Sequence, residues 1–345
     1  MNILIISPTQ SGIGGIAQHV KNLKNFLEKN DNTVESISSE NTLTIPIKGL
    51  KNPSFMISSF LKTIFKKNFD IVHAHNIPSA LAMKNSSGKK ILTIHGIFSE
   101  QIDQLHGKIS GNISKKYEKN ALSWADVITV ISKESFDYYT SLGYKVFQIP
   151  NAIDISALSS DKDRRYEKQI IFAGRLSKEK GIKTLIEICK NLPNDIHLII
   201  IGTGPEVENV KKIETEYDNI HYLGSKNHSQ TISLINGSDV LIQPSFSEGI
   251  STTILESMAC KTAIIASNVG GNLELIQDQE SGFLLEPTNH EMFCEKIIEL
   301  ISDEHLREKL TTLSYENIKK YDWKNVGAQY FELYNSILKV NKKNT

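Results

Sequence analysis

The sequence has 345 residues, which is enough for about two domains of ordinary size. Its content of 39% hydrophobic and 23% charged residues is typical of globular proteins, and its formal net charge of zero argues against a nucleic-acid-binding protein. The three cysteines, Cys189, Cys260 and Cys294, lack CxxC spacing and so give no disulfide framework and no zinc site. Because we find neither a signal peptide nor an apolar stretch of the roughly 20 residues that span a bilayer, we predict a cytoplasmic protein.

The first half of the chain predicts alternating strands and helices. The Ile-rich run 2–7 is typical of a buried strand, and a helical pattern follows in which Val20, Leu23 and Leu27 recur on one face. Further short apolar runs predict strands at 71–74, 90–94 and 127–131, and helices at 56–67 and 110–123. Strands that alternate with helices predict an α/β domain with a parallel sheet.

The glycine-bearing stretch GIGGIAQHV (12–20) lies between the first strand and its helix. Backbone N–H groups at Gly14 and Gly15, together with the helix dipole, could hold an anion. The glycines do not form GxGxxG, and no acidic residue follows about 20 residues later, so a dinucleotide fingerprint is absent. A tight turn without a ligand is the alternative interpretation.

Residues 60–69, FLKTIFKKNF, combine an apolar face with a basic one. Phe60, Leu61, Ile64 and Phe65 fall on one face, and three lysines fall on the other, which is typical of a helix lying on an anionic membrane. Residues 1–165 also carry 20 Lys and Arg against 14 Asp and Glu, whereas the remainder carries 19 against 25. A surface helix packed on the sheet is the alternative for 60–69, and two ordinary solvated surfaces are the alternative for the charge asymmetry.

A second α/β series follows the polar stretch 151–165, which we interpret as a linker. Its Asp161-Lys162-Asp163 string is not expected to bind metal. Predicted strands at 169–173, 197–201, 221–223, 240–243 and 263–266 alternate with helices, and 323–338 is a last amphipathic helix. The sequence therefore predicts two doubly wound Rossmann-like domains, with ligands bound at the carboxyl ends of the strands in the cleft between the domains.

Several loops that follow predicted strands carry candidate binding residues. In GRLSKEKG (174–181), Arg175 and Lys180 precede a helix whose dipole disfavours cations, a cost that a bound diphosphate would reverse. IGTGP (201–205) and SNVGGNLE (267–274) are glycine loops at which backbone could approach a ligand, with Gly202 in the first of them. A solvated basic loop and ordinary glycine turns are the alternatives.

Histidines end two predicted strands of the first half. His95 in TIHG is the best candidate to touch a substrate, because the ends of parallel strands present ligand-facing residues. His73 and His75 in DIVHAH fit hydrogen-bonded core histidines better. Without a nearby carboxylate pair, we expect no metal site here.

The stretch SEGISTTILE (247–256) holds two glutamates, Glu248 and Glu256. A run of β-branched residues separates them, so a single helix through both is not expected. Ser251, Thr252 or Thr253 can act as the N-cap of the helix that follows. A capping box from Thr253 to Glu256 would account for Glu256 without a ligand, whereas Glu248 is a loop carboxylate with no such explanation.

Taken together, these motifs resemble the family 4 retaining glycosyltransferases of the GT-B fold, over essentially the whole chain. The resemblance is carried by GIGGIAQHV, TIHG, ADVITVIS, IPNAID, GRLSKEKG, IGTGP and PSFSEGISTTILESMA, the last containing the E-x7-E motif. It implies an acceptor domain at 1–157 plus 321–345, with the last helix crossing back, and a nucleotide-sugar domain at 158–320. One departure is Ala259-Cys260-Lys261-Thr262, where the family commonly has Gly-x-Pro.

The resemblance also assigns roles to the candidate residues. Arg175 and Lys180 would bind the diphosphate, Glu248 the hydroxyls of the donor sugar, and Glu256 the ribose. His95 would sit beside the transferred sugar, and the base would lie near Gly202 and the loop 224–228. The implied anion cradle consists of backbone N–H groups at Gly14, Gly15, Gly249, Ile250, Ser251, Thr252 and Thr253.

The implied activity is metal-independent sugar transfer with retention and without a cofactor. A UDP- or GDP-sugar would be the donor, and a glycan or lipid-linked molecule the acceptor, as in polysaccharide biosynthesis, with no role for nucleic acid. The protein would then be cytoplasmic, with peripheral contact to the inner face of the membrane through 60–69. A sugar-nucleotide epimerase of similar fold and a non-catalytic module that binds sugar nucleotides are the alternatives.

Overall fold

The computed structural model describes residues 1–10, 15–45, 47, 50–66, 68–97 and 108–341. The chain divides into two compact parts, which we call unit 1 (Met1–Ala152 with Trp323–Thr345) and unit 2 (Ile153–Asp322). The sequence placed the corresponding boundaries at residues 157 and 321. Each unit is built around its own six-stranded sheet.

The sheet of unit 1 is parallel, with strand order β2-β1-β3-β4-β5-β6. Its strands are β1 Asn2–Ile6, β2 Thr33–Ile37, β3 Ile71–His75, β4 Lys89–Ile94, β5 Val127–Val130 and β6 Val146–Gln148. The helices are α1 Gly15–Lys29, α2 Lys51–Thr63, α3 Ala80–Asn85, α4 Lys108–Ser123 and α5 Lys133–Ser141. The central strand β3 is buried along its whole length, as expected of a parallel strand covered on both faces.

Unit 2 repeats this design in the order β12-β11-β10-β7-β8-β9, again all parallel. Its strands are β7 Gln169–Ala173, β8 His197–Ile201, β9 Ile220–Tyr222, β10 Val240–Gln243, β11 Ala263–Ser267 and β12 Phe283–Leu285. The helices are α6 Ile182–Asn191, α7 Val207–Glu216, α8 His228–Asn236, α9 Thr252–Cys260, α10 Asn272–Leu275, α11 His290–Ser302 and α12 Glu304–Ile318. The prediction of two parallel, doubly wound sheets is confirmed.

The last helix, α13 (Trp323–Asn341), belongs to unit 1. Its buried face, formed by Trp323, Val326, Tyr330 and Tyr334, joins the core cluster that contains residues of α1. A β-carbon at Gly327 would lie 2.7 Å from the Phe26 ring, so the two helices approach each other closely at this glycine. The predicted return of the C-terminal helix to the first domain is confirmed.

Two local predictions need correction. The helix predicted at 56–67 is α2, which begins at Lys51 and ends at Thr63. Its earlier start includes Pro53, which is tolerated because the N–H groups of a first helical turn have no partner within the helix. The stretch interpreted as a linker is largely part of unit 2, where Arg164 forms an ion pair with Asp239 at 2.9 Å. Among the described residues, no helix combines the length and apolar character needed to cross a membrane.

Candidate functional site

The candidate site of unit 2 lies where two neighbouring strands end. Strands β7 and β10 are adjacent in the sheet, although β8 and β9 separate them along the chain. The loop after β7 carries Lys180, and the loop after β10 carries Glu248. Because the carboxyl ends of parallel strands meet at one edge, both side chains reach the position where α/β sheets bind ligands.

Lys180 and Glu248 form an ion pair at this edge. The Lys180 ammonium donates to both carboxylate oxygens of Glu248, each at 2.7 Å. The Glu248 side chain is only 5% exposed, and its Oε1 also accepts hydrogen bonds from Gln243 and Ser245. A buried carboxylate needs such compensation, so this cluster is a preorganised charged site.

The N-terminus of α9 lies beside that cluster. Ser251 is the N-cap: its hydroxyl accepts from the Ile254 N–H at 3.4 Å and donates to Gln243 at 3.1 Å. Helix α9 begins only at Thr252, so the prediction that no single helix joins the two glutamates is confirmed. The predicted capping box from Thr253 to Glu256 is wrong, because Ser251 takes the cap position and Glu256 lies in the second turn.

Glu256 has another partner instead. Its side chain is 9% exposed, and its Oε1 lies 2.9 Å from Nε2 of His228, at the start of α8. The carboxylate is therefore held by an imidazole and not by the helix end. His228 belongs to the loop in which the family resemblance places the base.

Arg175 does not join this cluster. Its side chain is 56% exposed, and its guanidinium lies 3.7 Å from the Glu179 carboxylate, which is the spacing of a loose surface ion pair. Of the two cations predicted in this loop, the structure brings only Lys180 into contact with Glu248. That Arg175 and Lys180 bind one diphosphate together stays a prediction.

Backbone packing accounts for several of the loop glycines. A β-carbon at Gly202, where φ is 136°, would lie 1.8 Å from the carbonyl oxygen of Gly174. A β-carbon at Gly271 would lie 2.2 Å from the carbonyl oxygen of Gly249. These loops need glycine in order to pack against each other, so their glycines alone do not indicate a ligand.

The other residues predicted to bind an anion through their backbone lie at 249–253 in unit 2 and at 14–15 in unit 1. Ile250 is buried, and the Thr253 hydroxyl donates to the Ala173 carbonyl at 3.4 Å, while contact of an anion with the backbone of 249–253 stays a prediction. Gly15 is the first residue of α1, whereas Gly14 lies outside the described residues.

Unit 1 holds a cluster of buried histidines at the carboxyl edge of its own sheet. His73 is a core residue, as predicted, with Nδ1 2.6 Å from the Tyr334 hydroxyl and Nε2 2.6 Å from the Thr93 hydroxyl. His75 Nδ1 lies 3.1 Å from His95 Nε2, and the ring of His19 packs edge-on against both. His19 stands within the GIGGIAQHV motif, yet its side chain was not singled out from the sequence.

Burial keeps these histidines neutral. Desolvation lowers the pKa of His73 and of His95 to about 3. The pKa values of His19 and His75 lie well below the usual value, first because of burial and then because of the neighbouring histidines. Neutral imidazoles are metal ligands, and one ring nitrogen each from His19, His75 and His95 lie within 4.8 Å of one another. His75 and His95 form a hydrogen bond to each other, which occupies one nitrogen of each ring. The expectation that no metal binds here stays a prediction.

Comparison with known families identifies the class of protein. Residues 13–157 match the family model described as Glycosyltransferase Family 4, and residues 158–317 match the model described as Glycosyl transferases group 1. The chain is a glycosyltransferase. The two matches together support membership of family 4, as the sequence motifs predicted.

Two relatives that match along almost the whole chain are also sugar transferases. An uncharacterized glycosyltransferase of Methanocaldococcus jannaschii is 28% identical over 94% of this chain and 95% of its own. A phosphatidyl-myo-inositol mannosyltransferase of Mycobacterium leprae is 22% identical over 98% of this chain and 97% of its own.

Solved structures show the fold of this glycosyltransferase. A sucrose-phosphate synthase from Thermosynechococcus elongatus superposes with a TM-score of 0.84 at 18% identity, covering 98% of this chain and 99% of its own. HepE of Anabaena, solved in complex with UDP-glucose, superposes with a TM-score of 0.75 at 18% identity, covering 97% and 100%. The predicted GT-B fold is confirmed.

Proposed function

We propose that this glycosyltransferase moves a sugar from a nucleoside diphosphate sugar to an acceptor, with retention of configuration and without a metal ion. The observation that carries the proposal is the ion pair between the half-buried Lys180 and the buried Glu248, beside the N-terminus of α9. When the sugar leaves, negative charge develops on the departing phosphate. A fixed ammonium and backbone N–H donors at a helix end stabilise such charge by several kcal/mol in a site that excludes water.

Within the part of the chain that the structure describes, the hydrogen bonds of the pair leave one N–H of Lys180 and one oxygen of Glu248 available to a ligand. An ammonium has three donors, and Lys180 uses two on Glu248, so the third is available to a phosphate oxygen. Among the described residues, Glu248 Oε1 accepts from three groups and Oε2 from Lys180 alone. Oε2 is therefore the oxygen that we assign to a hydroxyl of the donor sugar.

Retention fits a departing phosphate that accepts the acceptor's proton as the acceptor attacks from the same face. In this scheme no protein nucleophile is needed, and Glu248 binds the sugar instead of attacking it. Arg175 adds charge near the diphosphate, and His95 contacts the transferred sugar, as the family resemblance implies. The complex of HepE with UDP-glucose favours a uridine donor, with a guanosine donor as the alternative.

Glu256 is assigned to the ribose hydroxyls, and comparing two ligands tests that role. Replacing Glu256 with alanine is expected to weaken UDP binding by roughly 10- to 150-fold, the usual range for hydrogen bonds to a charged group. The same variant is expected to bind 2′,3′-dideoxy-UDP as wild type does, because that ligand has no ribose hydroxyls. Titration calorimetry measures both, with GDP and its dideoxy analogue if GDP is the better ligand. An equal loss for both ligands would contradict the ribose assignment.

We place the acceptor at an anionic membrane surface on the cytoplasmic side. Helix α2 buries Phe55, Ser59 and Thr63, and it exposes several apolar residues. Between residues 43 and 65, eight large apolar side chains have exposures from 41% to 90%, and we call them the apolar surface: Leu43, Ile45, Ile47, Leu50, Ile57, Leu61, Ile64 and Phe65. Water-soluble surfaces rarely leave so many large apolar side chains uncovered together.

Basic residues accompany this surface. Lys62 donates to the Asn41 carbonyl, and Lys66 pairs with Glu35, while Lys67 of the predicted basic face lies outside the described residues. The M. leprae relative carries a lipid in its name, and a lipid-linked acceptor suits the same surface here. Apolar side chains with lysines beside them favour anionic vesicles.

Vesicle binding tests the surface directly. Replacing Leu61 and Phe65 together with aspartate is expected to lower binding to vesicles of phosphatidylglycerol and phosphatidylcholine by roughly tenfold or more, because two inserted apolar side chains are lost. Leu142→Asp is the matched control, since Leu142 is 55% exposed elsewhere in unit 1. Co-sedimentation gives the bound fraction, and equal binding by the double variant and wild type would refute the membrane proposal.

A further inference from the structure

The two histidines nearest the edge of the unit 1 sheet are joined to each other. Strand β3 ends at His75, and His95 directly follows β4, its neighbour in the sheet. His75 is paired in register with Thr93, so both imidazoles emerge at the same carboxyl edge. Their nitrogens His75 Nδ1 and His95 Nε2 lie 3.1 Å apart, which is hydrogen-bonding distance.

The hydrogen bond couples the tautomers of the two rings. Both rings are neutral, because burial lowers the pKa of each, so each carries one proton. One proton lies in the shared hydrogen bond, and the other lies on an outer nitrogen, either His75 Nε2 or His95 Nδ1. Neither outer nitrogen has a hydrogen-bond partner among the described residues.

Both outer nitrogens are buried in this structure, so the position of each ring decides between them. His75 is completely buried at the end of a strand, whereas His95 begins the following loop and keeps 9% of its residue surface accessible. An unpaired N–H costs least where a bound ligand can accept its hydrogen bond. The outer proton therefore belongs on His95 Nδ1, and His75 Nδ1–H donates to His95 Nε2.

Asn76 holds the backbone of His95 in a similar way. Its side-chain Oδ1 accepts from the His95 N–H at 2.9 Å, and its own N–H donates to the Thr93 carbonyl at 2.7 Å. Asn76 has φ 63° and ψ 158°, a conformation almost confined to glycine. Glycine would relieve the strain but would lose the contact to His95, so the strained asparagine indicates that the contact matters.

We propose that His75 and Asn76 are positioning residues for His95 in sugar transfer. His75 fixes the ring orientation and tautomer of His95, so that Nδ1–H is the group that donates to an oxygen of the transferred sugar. Asn76 fixes the backbone from which that ring projects. The proposal rests on the function proposed above, in which His95 contacts that sugar.

Kinetics of paired variants test the positioning role. His75→Leu removes the donor and is expected to lower kcat roughly 10- to 100-fold, with KM for the donor changed less than roughly threefold. His75→Asn, whose amide nitrogen can replace Nδ1, is expected to recover most of that loss. Ser79→Ala is the control, because it removes a hydrogen bond to the His75 carbonyl without touching His95, and its kcat is expected to stay within roughly twofold of wild type.

A spectroscopic measurement separates this proposal from the proposed function. In ¹⁵N-histidine-labelled protein, the wild type is expected to show His95 with a protonated Nδ1 and a bare Nε2, and His75→Leu is expected to mix the two tautomers. If His75→Leu does not fold, Asn76→Gly takes its place in the kinetic comparison, because glycine keeps the backbone conformation and removes the Oδ1 acceptor. Its kcat is then expected to fall by at least roughly threefold.

Three results would overturn the positioning role: wild-type kcat in the variant tested, an equal loss in Ser79→Ala, or unchanged His95 signals in His75→Leu. Failure of the wild type to use any nucleotide sugar would instead refute the proposed function. The nitrogen signals would still report whether His75 sets the His95 tautomer.

Discussion

Replacing Lys180 with alanine is expected to lower the rate of sugar transfer by roughly 100- to 1,000-fold, the loss typical of removing one preorganised charge-stabilising group. The reason is the leaving phosphate, whose developing charge loses the third N–H donor of the ammonium. Binding of the intact donor is expected to fall much less, because the effect is largest when the charge is fully developed. A quenched-flow or coupled assay of nucleoside diphosphate release measures kcat, and calorimetry measures donor affinity.

Lys178 is the matched control for this variant. It lies in the same 3₁₀ turn, Lys178–Lys180, and is exposed, so Lys178→Ala keeps the turn and removes a solvated cation. Its kcat is expected to remain within roughly twofold of wild type, because an exposed charge contributes little. Since Lys180→Ala leaves the buried Glu248 without its counter-ion, its folding is checked by the melting temperature. A folded Lys180→Ala variant with wild-type turnover would refute the assigned diphosphate site.

Mild acid is expected to destabilise unit 1 strongly. His19, His73, His75 and His95 have folded-state pKa values below 6.5, with about 3 for His73 and His95, whereas unfolded histidine titrates near 6.5. The unfolded chain therefore binds protons that the folded unit does not. The stabilisation is complete above about pH 6.5 and declines as the pH falls toward the folded values.

The size of this effect follows from the number of groups. Each histidine with a folded pKa of about 3 costs about 1.4 kcal/mol per pH unit below 6.5, so at pH 5 His73 and His95 together cost about 4 kcal/mol, and His19 and His75 act in the same direction. That is a large part of the stability of an ordinary domain. Both tryptophans, Trp124 and Trp323, lie in unit 1, so denaturant titrations followed by tryptophan fluorescence report on this unit.

A histidine variant tests whether the buried histidines cause the loss of unfolding free energy at low pH. His73→Gln removes one titrating group, so the fall in unfolding free energy between pH 6.5 and pH 5 is expected to shrink by about 2 kcal/mol. His197→Gln, in unit 2, is the control and is expected to leave the fluorescence-detected slope unchanged. A wild-type slope smaller than that of a single histidine would show that the cluster is not neutral in the folded state.

The sequence predicted the central strands well and the edge strands poorly. β1, β7 and β8 each contain an apolar run of four residues, and β3 is buried throughout although it contains two histidines, because parallel strands in the middle of a sheet are covered on both faces. The edge strands β2, β6 and β12 were not predicted, whereas the fourth edge strand, β9, was predicted at 221–223 and lies at Ile220–Tyr222. TVESI alternates with polar residues, and VFQ and FLL are only three residues long, so the hydrophobic pattern is weak where one side of the strand faces solvent.

The sequence predicted which residues belong to the candidate site but not which of them contact each other. Lys180 and Glu248 are 68 positions apart, and they meet because β10 lies next to β7, an order that the chain does not reveal. For the same reason the support from Gln243 and the imidazole beside Glu256 were not foreseen. Gly202 and Gly271 suggested ligand contact, whereas their close neighbours are carbonyls of other loops.

Turnover with a nucleotide sugar, with and without an acceptor, tests the central claim most directly. The purified protein is incubated with a UDP- or GDP-sugar and a membrane lipid extract, and products are analysed by mass spectrometry and by NMR of the anomeric proton. The expected result is acceptor-dependent release of the nucleoside diphosphate and a glycosylated acceptor whose anomeric configuration matches that of the donor. An inverted product would contradict retention, and conversion of the nucleotide sugar to its epimer without an acceptor would contradict sugar transfer itself.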